Sequence, residues 1–210
     1  IAEKYDIGVV GPNCQGMINV ADGIFAGFGS VFGFDYAPGN VSMVSQSGGF
    51  GFTVLNLCAK DGGLPFRQVV TTGNEIGVST LDFIEYFIRD PYTRLIVGYV
   101  EGLKDAGRLL DVGEKALAAD KPILMWKVGN TREGQRAAPS HTANLGGEMA
   151  LYRAAFRQKG IIQVDDIQDV IDYGRAFRCG KLPKGNRLAI ITISGGAAIL
   201  MTDEIVARGM

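Results

Sequence analysis

The stretch Val-Ser-Met-Val-Ser-Gln-Ser-Gly-Gly, residues 41–49, decides the fold. Its first half is typical of a buried strand, and the Ser-Gly-Gly that follows opens a helical pattern. A strand that turns through glycines into a helix leaves backbone N–H groups exposed at the positive end of the helix dipole. The stretch therefore predicts one β-to-α unit of a parallel sheet, with a phosphate half-site at Ser45, Ser47, Gly48 and Gly49.

The same pattern occurs a second time. Residues 188–196, Leu-Ala-Ile-Ile-Thr-Ile-Ser-Gly-Gly, align with the first stretch when Ser194 is laid on Ser47. One copy alone is equally consistent with a tight connection in which the serine simply caps the helix. Two copies favour paired half-sites for phosphate, the second formed by Ser194, Gly195 and Gly196.

Around these stretches, short β-rich runs alternate with amphipathic helical patterns, which predicts a doubly wound α/β fold with a parallel sheet. The predicted strands are residues 7–10, 41–44, 68–71, 95–100, 123–128 and 188–192. The predicted helices are residues 50–60, 80–89, 106–119, 148–159, 167–177 and 197–207.

The spacing of these elements predicts one complete domain over residues 35–185. Residues 1–34 are interpreted as the end of a preceding domain, and residues 186–210 as the start of a following one. The lysine-, glycine- and proline-containing residues 180–186 have the composition of a linker. Because the chain begins at Ile1 rather than Met, we expect it to be a piece of a longer protein.

Composition excludes several classes of function. The 210 residues are 47% hydrophobic and 20% charged, as in ordinary globular proteins. A net charge of -1 gives no basic field for binding nucleic acid. No apolar run approaches the ~18 residues of a membrane span. The three cysteines lack disulfide or zinc spacing, which fits a cytoplasmic protein.

His141 is the one histidine of the chain and lies in a stretch of small residues and glycines, residues 136–147, that has no helical or strand periodicity. A neutral imidazole in such a loop can act as a nucleophile that carries a phosphoryl group. Taken by itself, a lone histidine is more often a surface or packing residue. Glu101 follows the predicted strand 95–100, and a carboxylate there can hold the imidazole Nδ1–H. A helix-start acid is the alternative for Glu101.

Two further turns follow predicted strands. Gly-Pro-Asn-Cys-Gln-Gly, residues 11–16, and Gly-Asn-Glu, residues 73–75, each offer backbone and amide groups to a ligand. Both are also simple turns by composition.

Residues 11–16, 45–49, 73–75, 101–102 and 140–142 stand in the order found in the α subunit of succinyl-CoA synthetase. The chain more closely resembles the ADP-forming acetyl- and acyl-CoA synthetases, with residues 152–160 adding to that likeness. The resemblance covers essentially the whole chain. One departure is that Ala143 and Asn144 stand where the synthetases commonly have glycine.

The resemblance implies a flavodoxin-like, three-layer domain preceded by the end of a CoA-binding Rossmann-like domain. It implies the reversible reaction of acyl-CoA, phosphate and ADP to acid, CoA and ATP, through an acyl phosphate and a phosphohistidine at His141. It also implies that Glu101 holds the imidazole and that the two Ser-Gly-Gly helices flank the phosphoryl group. Asn13 and Cys14 would lie near the CoA thiol and the acyl group.

By the same resemblance, ADP or ATP with Mg²⁺ binds an ATP-grasp module or subunit outside this chain. Small-molecule acids and CoA are the expected partners, nucleic acid and membrane are not, and a homo-oligomer is left open. The alternative function is a non-catalytic module that senses CoA or acyl-CoA in a larger protein such as a protein acetyltransferase. A generic FMN- or dinucleotide-binding domain is disfavoured, because no G-x-G-x-x-G follows a predicted strand.

Overall fold

The computed structural model describes residues 1–60, 62–129, 149–178, 183 and 185–210. It contains two compact units, Ile1–Arg178 and Cys179–Met210. The predicted domain boundaries at residues 34 and 185 stay predictions.

The first unit is built on a sheet whose strands, among the described residues, run in the order β2-β1-β4-β3-β5-β6-β7. From β4 to β7 all neighbours are parallel, whereas β1 pairs antiparallel with both β2 and β4. The strands are β1 (Gly16–Asn19), β2 (Ile24–Gly27), β3 (Val41–Ser45), β4 (Phe66–Thr71), β5 (Leu95–Val100), β6 (Ile123–Lys127) and β7 (Ile162–Gln163).

The parallel part has a flavodoxin-like order, because the first parallel strand, β3, lies between the second and the third, β4 and β5. After β3 the chain forms β4 on one side of that strand and then β5 on its other side. In doubly wound sheets such a switch point opens a crevice at the carboxyl ends of the two strands, where ligands bind. The topology places the crevice after Ser45 and after Val100.

Helices cover both faces of the sheet, which gives three layers. Since side chains alternate along β3, Met43 packs with α1 and α5 in one core and Val44 with α2, α3 and α4 in the other. Among the described residues, the α-helices of the first unit are α1 (Gly48–Lys60), α2 (Thr80–Arg89), α3 (Ala106–Ala118), α4 (Met149–Gln158) and α5 (Ile167–Arg178). The predicted α/β fold class is thus confirmed.

One local prediction in the first unit is wrong, and two of its strands were not predicted. Residues 7–10 form no strand and contribute a single bridge between Val10 and Val78, because this segment is largely exposed, with Ile7 at 55%. The antiparallel strands β1 and β2 were not predicted, since both are four residues long and β2 is exposed throughout.

In the second unit, helix α6 (Gly195–Ala207) begins as the repeat predicts, and the Ser194 hydroxyl caps it by accepting from Ala197 N at 3.3 Å. Residues 188–192, predicted as a strand, form none, and Ile191 is 98% exposed. A strand needs a hydrogen-bonded neighbour, and the described part of this unit provides no other strand.

Candidate functional site

The turn between β3 and α1 carries the first Ser-Gly-Gly. The Ser45 hydroxyl donates to Ser47 O at 2.7 Å, and Gly51 N donates to the same carbonyl at 3.1 Å as the helix begins. A Cβ at Gly48 would lie 2.9 Å from the Gln15 Cβ, so glycine is needed for this approach. Gly49, in contrast, faces open space. The N–H groups of this first turn are thus presented where an anion can reach them.

Gln46 joins this turn to the end of β5. Its Oε1 accepts from Glu101 N at 2.6 Å and from Gly102 N at 3.2 Å, while its Nε2 donates to Gly102 O at 2.7 Å. The side chain is almost fully buried, and Gln46 N donates to Tyr99 O at 3.0 Å. These bonds fix the backbone that carries Glu101 beside the start of α1. Gln46 belongs to the motif at residues 45–49, but its sequence context did not predict this role.

The turn at residues 11–16 is tied to the end of β4. Gln15 N and Gly16 N both donate to Thr71 Oγ1 at 3.0 Å, and that hydroxyl donates to Gly16 O at 2.8 Å. The turn also contacts the loop at residues 73–75, where Asn74 N donates to Pro12 O at 2.9 Å. These two turns, which are far apart in the sequence, therefore lie together.

These segments enclose a cleft of about 320 Å³, named here the first cleft. It brings together residues far apart in sequence, at the switch point that the topology predicts. Its lining residues are Asn13, Cys14, Gln15, Phe28, Gln46, Ser47, Gly48, Gly49 and Glu101. Asn13, Cys14, Ser47, Gly48, Gly49 and Glu101 were all singled out from the sequence.

Three sets of candidate residues remain, namely Ser45, the second Ser-Gly-Gly and His141. Ser45 is fully buried beneath the turn and does not line the first cleft. Ser194, Gly195 and Gly196 start α6 in the second unit. His141 lies outside the described residues, in the range 130–148. Their roles as phosphate ligands or phosphoryl carrier stay predictions.

The charge of Glu101 acts on two neighbours, the half-buried Tyr99 and the buried Lys127. Burial, helped by the Glu101 carboxylate, raises the pKa of Tyr99 to about 12. Burial lowers the pKa of Lys127, and the Glu101 charge opposes that shift. Lys127 is 1% exposed at the end of β6, and its Nζ lies 5.0 Å from the Tyr152 ring centroid. A buried basic group thus accompanies the carboxylate, which the sequence did not signal.

Tyr152 supports the segment that follows Glu101. Its Oη accepts from Leu103 N at 3.0 Å, so α4 holds the loop after β5 in place.

Among the described residues, no cluster of three or more His, Cys, Asp or Glu side chains has the arrangement of a metal site. No helix in the described part of the chain has both the length and the apolar character needed to cross a membrane.

Comparison with known proteins identifies the family. The model of the succinyl-CoA ligase-like flavodoxin domain matches residues 38–177. The chain belongs to this family. The predicted family resemblance is therefore confirmed, and the succinyl-CoA ligase-like flavodoxin domain accounts for most of the first unit.

Two relatives of this succinyl-CoA ligase-like domain are ADP-forming acetate–CoA ligases. The ADP-forming acetate–CoA ligase II subunit alpha of Pyrococcus furiosus is 37% identical over 210 residues, which is all of this chain and 44% of that protein. The ADP-forming acetate–CoA ligase of Methanocaldococcus jannaschii is 38% identical over 210 residues, which is 29% of its length.

A solved structure extends the likeness to three dimensions. The dinucleotide-forming acetyl-coenzyme A synthetase 1 of Candidatus Korarchaeum cryptofilum, in complex with phosphate and ADP, has a TM-score of 0.87 at 32% identity. The match covers 99% of this chain and 44% of that one. The succinyl-CoA ligase-like chain thus spans less than half the length of the relatives it matches.

Proposed function

We propose that this chain is the part of an ADP-forming acyl-CoA synthetase in which phosphate reacts with the acyl group and the phosphoryl group is then transferred to a histidine. The full reaction converts acyl-CoA, phosphate and ADP reversibly into acid, CoA and ATP. The observation that carries the proposal is the first cleft, where the N-terminus of α1, the Glu101 carboxylate and the turn at residues 11–16 lie together.

Phosphate binds at the start of α1. The first backbone N–H groups of a helix have no hydrogen-bond partner within the helix, because no helical turn precedes them. The helix dipole also favours a negative charge at this end. Glycine at positions 48 and 49 lets the anion approach the main chain. The second repeat offers the same chemistry at Ser194, Gly195 and Gly196.

The proposed reaction consists of two group transfers in this part of the protein. A phosphate oxygen attacks the thioester carbon of acyl-CoA, the C–S bond breaks, and CoA leaves as the thiolate near Asn13 and Cys14. Nε2 of His141 then attacks the phosphorus, the P–O bond to the acyl group breaks, and the acid leaves as its carboxylate. Glu101 accepts the Nδ1–H of His141, fixes its tautomer and stabilises the positive ring. Gln46 keeps Glu101 in place for this step.

The nucleotide and its Mg²⁺ belong to an ATP-grasp module or subunit that this chain does not include. A reducing cytoplasm is the proposed setting, and Cys14 and Cys58 are both outside disulfides. CoA thiol chemistry suits such a setting.

The proposal is tested by following ATP- and CoA-dependent formation of acyl-CoA by the full-length protein with its nucleotide-binding partner. Glu101→Gln should lower kcat by roughly a hundredfold or more, because the amide cannot stabilise the imidazolium. Glu114→Gln is the matched control, because Glu114 lies outside the first cleft, with its side chain 71% exposed and paired to Lys159. Equal rates for the two variants would remove Glu101 from the mechanism. A wild-type protein that binds acyl-CoA without turnover would instead indicate the ligand-sensing module.

A further inference from the structure

The loop at residues 73–75, Gly-Asn-Glu, lies outside the lining of the first cleft but contacts the turn at residues 11–16, which belongs to that lining. Asn74 N donates to Pro12 O at 2.9 Å. A Cβ at Gly73 would lie 2.2 Å from the same carbonyl oxygen, so glycine is required where the two segments touch. The loop therefore supports the turn from outside the first cleft.

A side-chain hydrogen bond connects the loop to one residue of the first cleft. Asn13 lines the cleft, and its Nδ2 donates to Asn74 Oδ1 at 3.3 Å. Asn13 is exposed and has a left-handed backbone with φ of 57°, whereas Asn74 is half-buried. An exposed asparagine can rotate its amide, so the bond to the less exposed Asn74 restricts the Asn13 amide to one orientation.

The loop that carries Asn74 is itself firmly held. The next residue, Glu75, is 4% exposed, and its Oε1 accepts from Thr72 Oγ1 at 2.8 Å and from Thr80 N at 2.9 Å. Its backbone is left-handed, with φ of 56°, which is uncommon for a glutamate. Such a conformation persists where the surroundings fix it, and here the carboxylate ties the loop to the start of α2.

Lys104 links the loop to the segment that follows β5. Its Nζ donates to the carbonyl oxygen of Asn74 at 3.4 Å and also to that of Glu75. Lys104 belongs to the same short segment as Glu101, which lines the first cleft. A series of contacts therefore runs from the Glu101 segment through Lys104 and Asn74 to Asn13, and its middle members do not line the cleft.

We propose that Asn74 is a positioning residue for the acyl half of the reaction, an inference that rests on the proposed function. Its Oδ1 keeps the Asn13 amide oriented toward the place where phosphate attacks the thioester. Lys104 keeps this amide in a fixed position relative to Glu101. An amide held in this way stabilises the charge that develops on the thioester oxygen, because it does not have to reorient during the reaction. Asn74 acts through Asn13 and contacts no reacting atom.

The test labels the His141 peptide from two directions in the full-length protein with its nucleotide-binding partner. Radiolabelled ATP with Mg²⁺ uses the nucleotide half of the reaction, and acetyl-CoA with radiolabelled phosphate uses the acyl half. Asn74→Ala should slow labelling from acetyl-CoA and phosphate about tenfold or more, because a misplacement of about 1 Å can cost about a hundredfold. Labelling from ATP should keep the wild-type rate. Equal losses in both directions, or no loss in either, overturn the proposal.

Two further variants separate the hydrogen bond from a general loss of stability. Asn74→Asp keeps an oxygen that can accept from Asn13 Nδ2, so it should restore most of the acyl-half rate. Asn19→Ala is the matched control, because Asn19 lies outside the lining of the first cleft and its Nδ2 donates to Asp22 Oδ2 at 2.8 Å. It should keep both wild-type rates. If Asn74→Asp is as slow as Asn74→Ala, or Asn19→Ala loses the acyl half equally, the assignment of Asn74 is wrong.

A measurement without turnover distinguishes this inference from the proposed function. Cys14 follows Asn13 in the turn and lines the first cleft, so its rate of alkylation by iodoacetamide, followed by peptide mapping of the full-length protein, reports on the turn. Asn74→Ala should raise this rate about fivefold, the effect of one lost hydrogen bond on a local opening equilibrium. Asn74→Asp and Asn19→Ala should keep the wild-type rate.

The two measurements fail separately. An unchanged Cys14 rate in Asn74→Ala overturns the positioning role, even if wild-type protein is labelled from both directions. A raised Cys14 rate in a protein that takes up no label supports the positioning of the turn and contradicts the proposed function.

Discussion

Replacement of Gln46 by leucine tests how the two strand ends are joined. The amide makes three hydrogen bonds to the backbone of Glu101 and Gly102, at 2.6, 3.2 and 2.7 Å, and leucine can make none of them. At about 1 kcal/mol of net stability per bond, the loss is about 3 kcal/mol. Since domains are stable by roughly 5–15 kcal/mol, the variant should still fold.

The assay is urea unfolding of the 210-residue chain, followed by the fluorescence of its single tryptophan. Trp126 lies on β6 with its ring centroid 6.0 Å from that of Tyr99, so it reports on this part of the sheet. Gln168→Leu is the matched control, because its Nε2 donates to Asp172 Oδ1 on an exposed helix face, and its cost should stay under about 0.5 kcal/mol. A Gln46→Leu cost no larger than that of the control would refute the reasoning.

Three more predictions use the same unfolding measurement. Gly48→Ala should lower the free energy of unfolding by about 1–3 kcal/mol, because the new methyl group overpacks against Gln15. Gly49→Ala should not destabilise the protein, because its methyl group would meet open space. Equal losses of stability in the two variants would contradict the packing argument. Tyr152→Phe should cost about 1–2 kcal/mol and speed hydrogen exchange at Leu103 N, and unchanged exchange would exclude the bond. Burial by itself would raise the pKa of Asp90. The hydrogen bonds that its carboxylate accepts, including one from Arg67 at 2.6 Å, outweigh burial, so the pKa is lowered. Its stabilisation is therefore present above the unfolded pKa of about 3.9 and is lost as pH falls through the lower folded value. Asp90→Asn should remove that pH dependence and cost about 2 kcal/mol at pH 7, and an unchanged acid profile would exclude it.

Local patterns were sufficient to predict the elements that are specified locally. Helix Thr80–Arg89 was predicted to the residue, because Ser79 and Asp82 form a capping box ahead of an amphipathic run. Strand Leu95–Val100 was also predicted to the residue, since it is a continuous buried apolar run. Elements that depend on distant partners were not predictable in this way. The strand expected at residues 188–192 lacks a neighbour in the described unit, and strands β1 and β2 are only four residues long.

The same distinction applies to the first cleft. Ser-Gly-Gly and Glu101 could be predicted from the sequence, because a turn into a helix and a carboxylate after a strand have recognisable patterns. Gln46 and Gln15 could not, since the role of each amide depends on backbone groups that only the fold brings near. Lys127 gave no signal either, because a lysine at a strand end is usually exposed and here is buried.

The measurement that tests the central claim most directly is phosphate labelling of the full-length protein, with its nucleotide-binding partner, by radiolabelled ATP and Mg²⁺. We predict an acid-labile, base-stable label on the peptide that contains His141, lost in His141→Asn and reduced in Glu101→Gln. A folded wild-type protein that takes up no label, or takes it up on another peptide, would contradict the phosphohistidine mechanism.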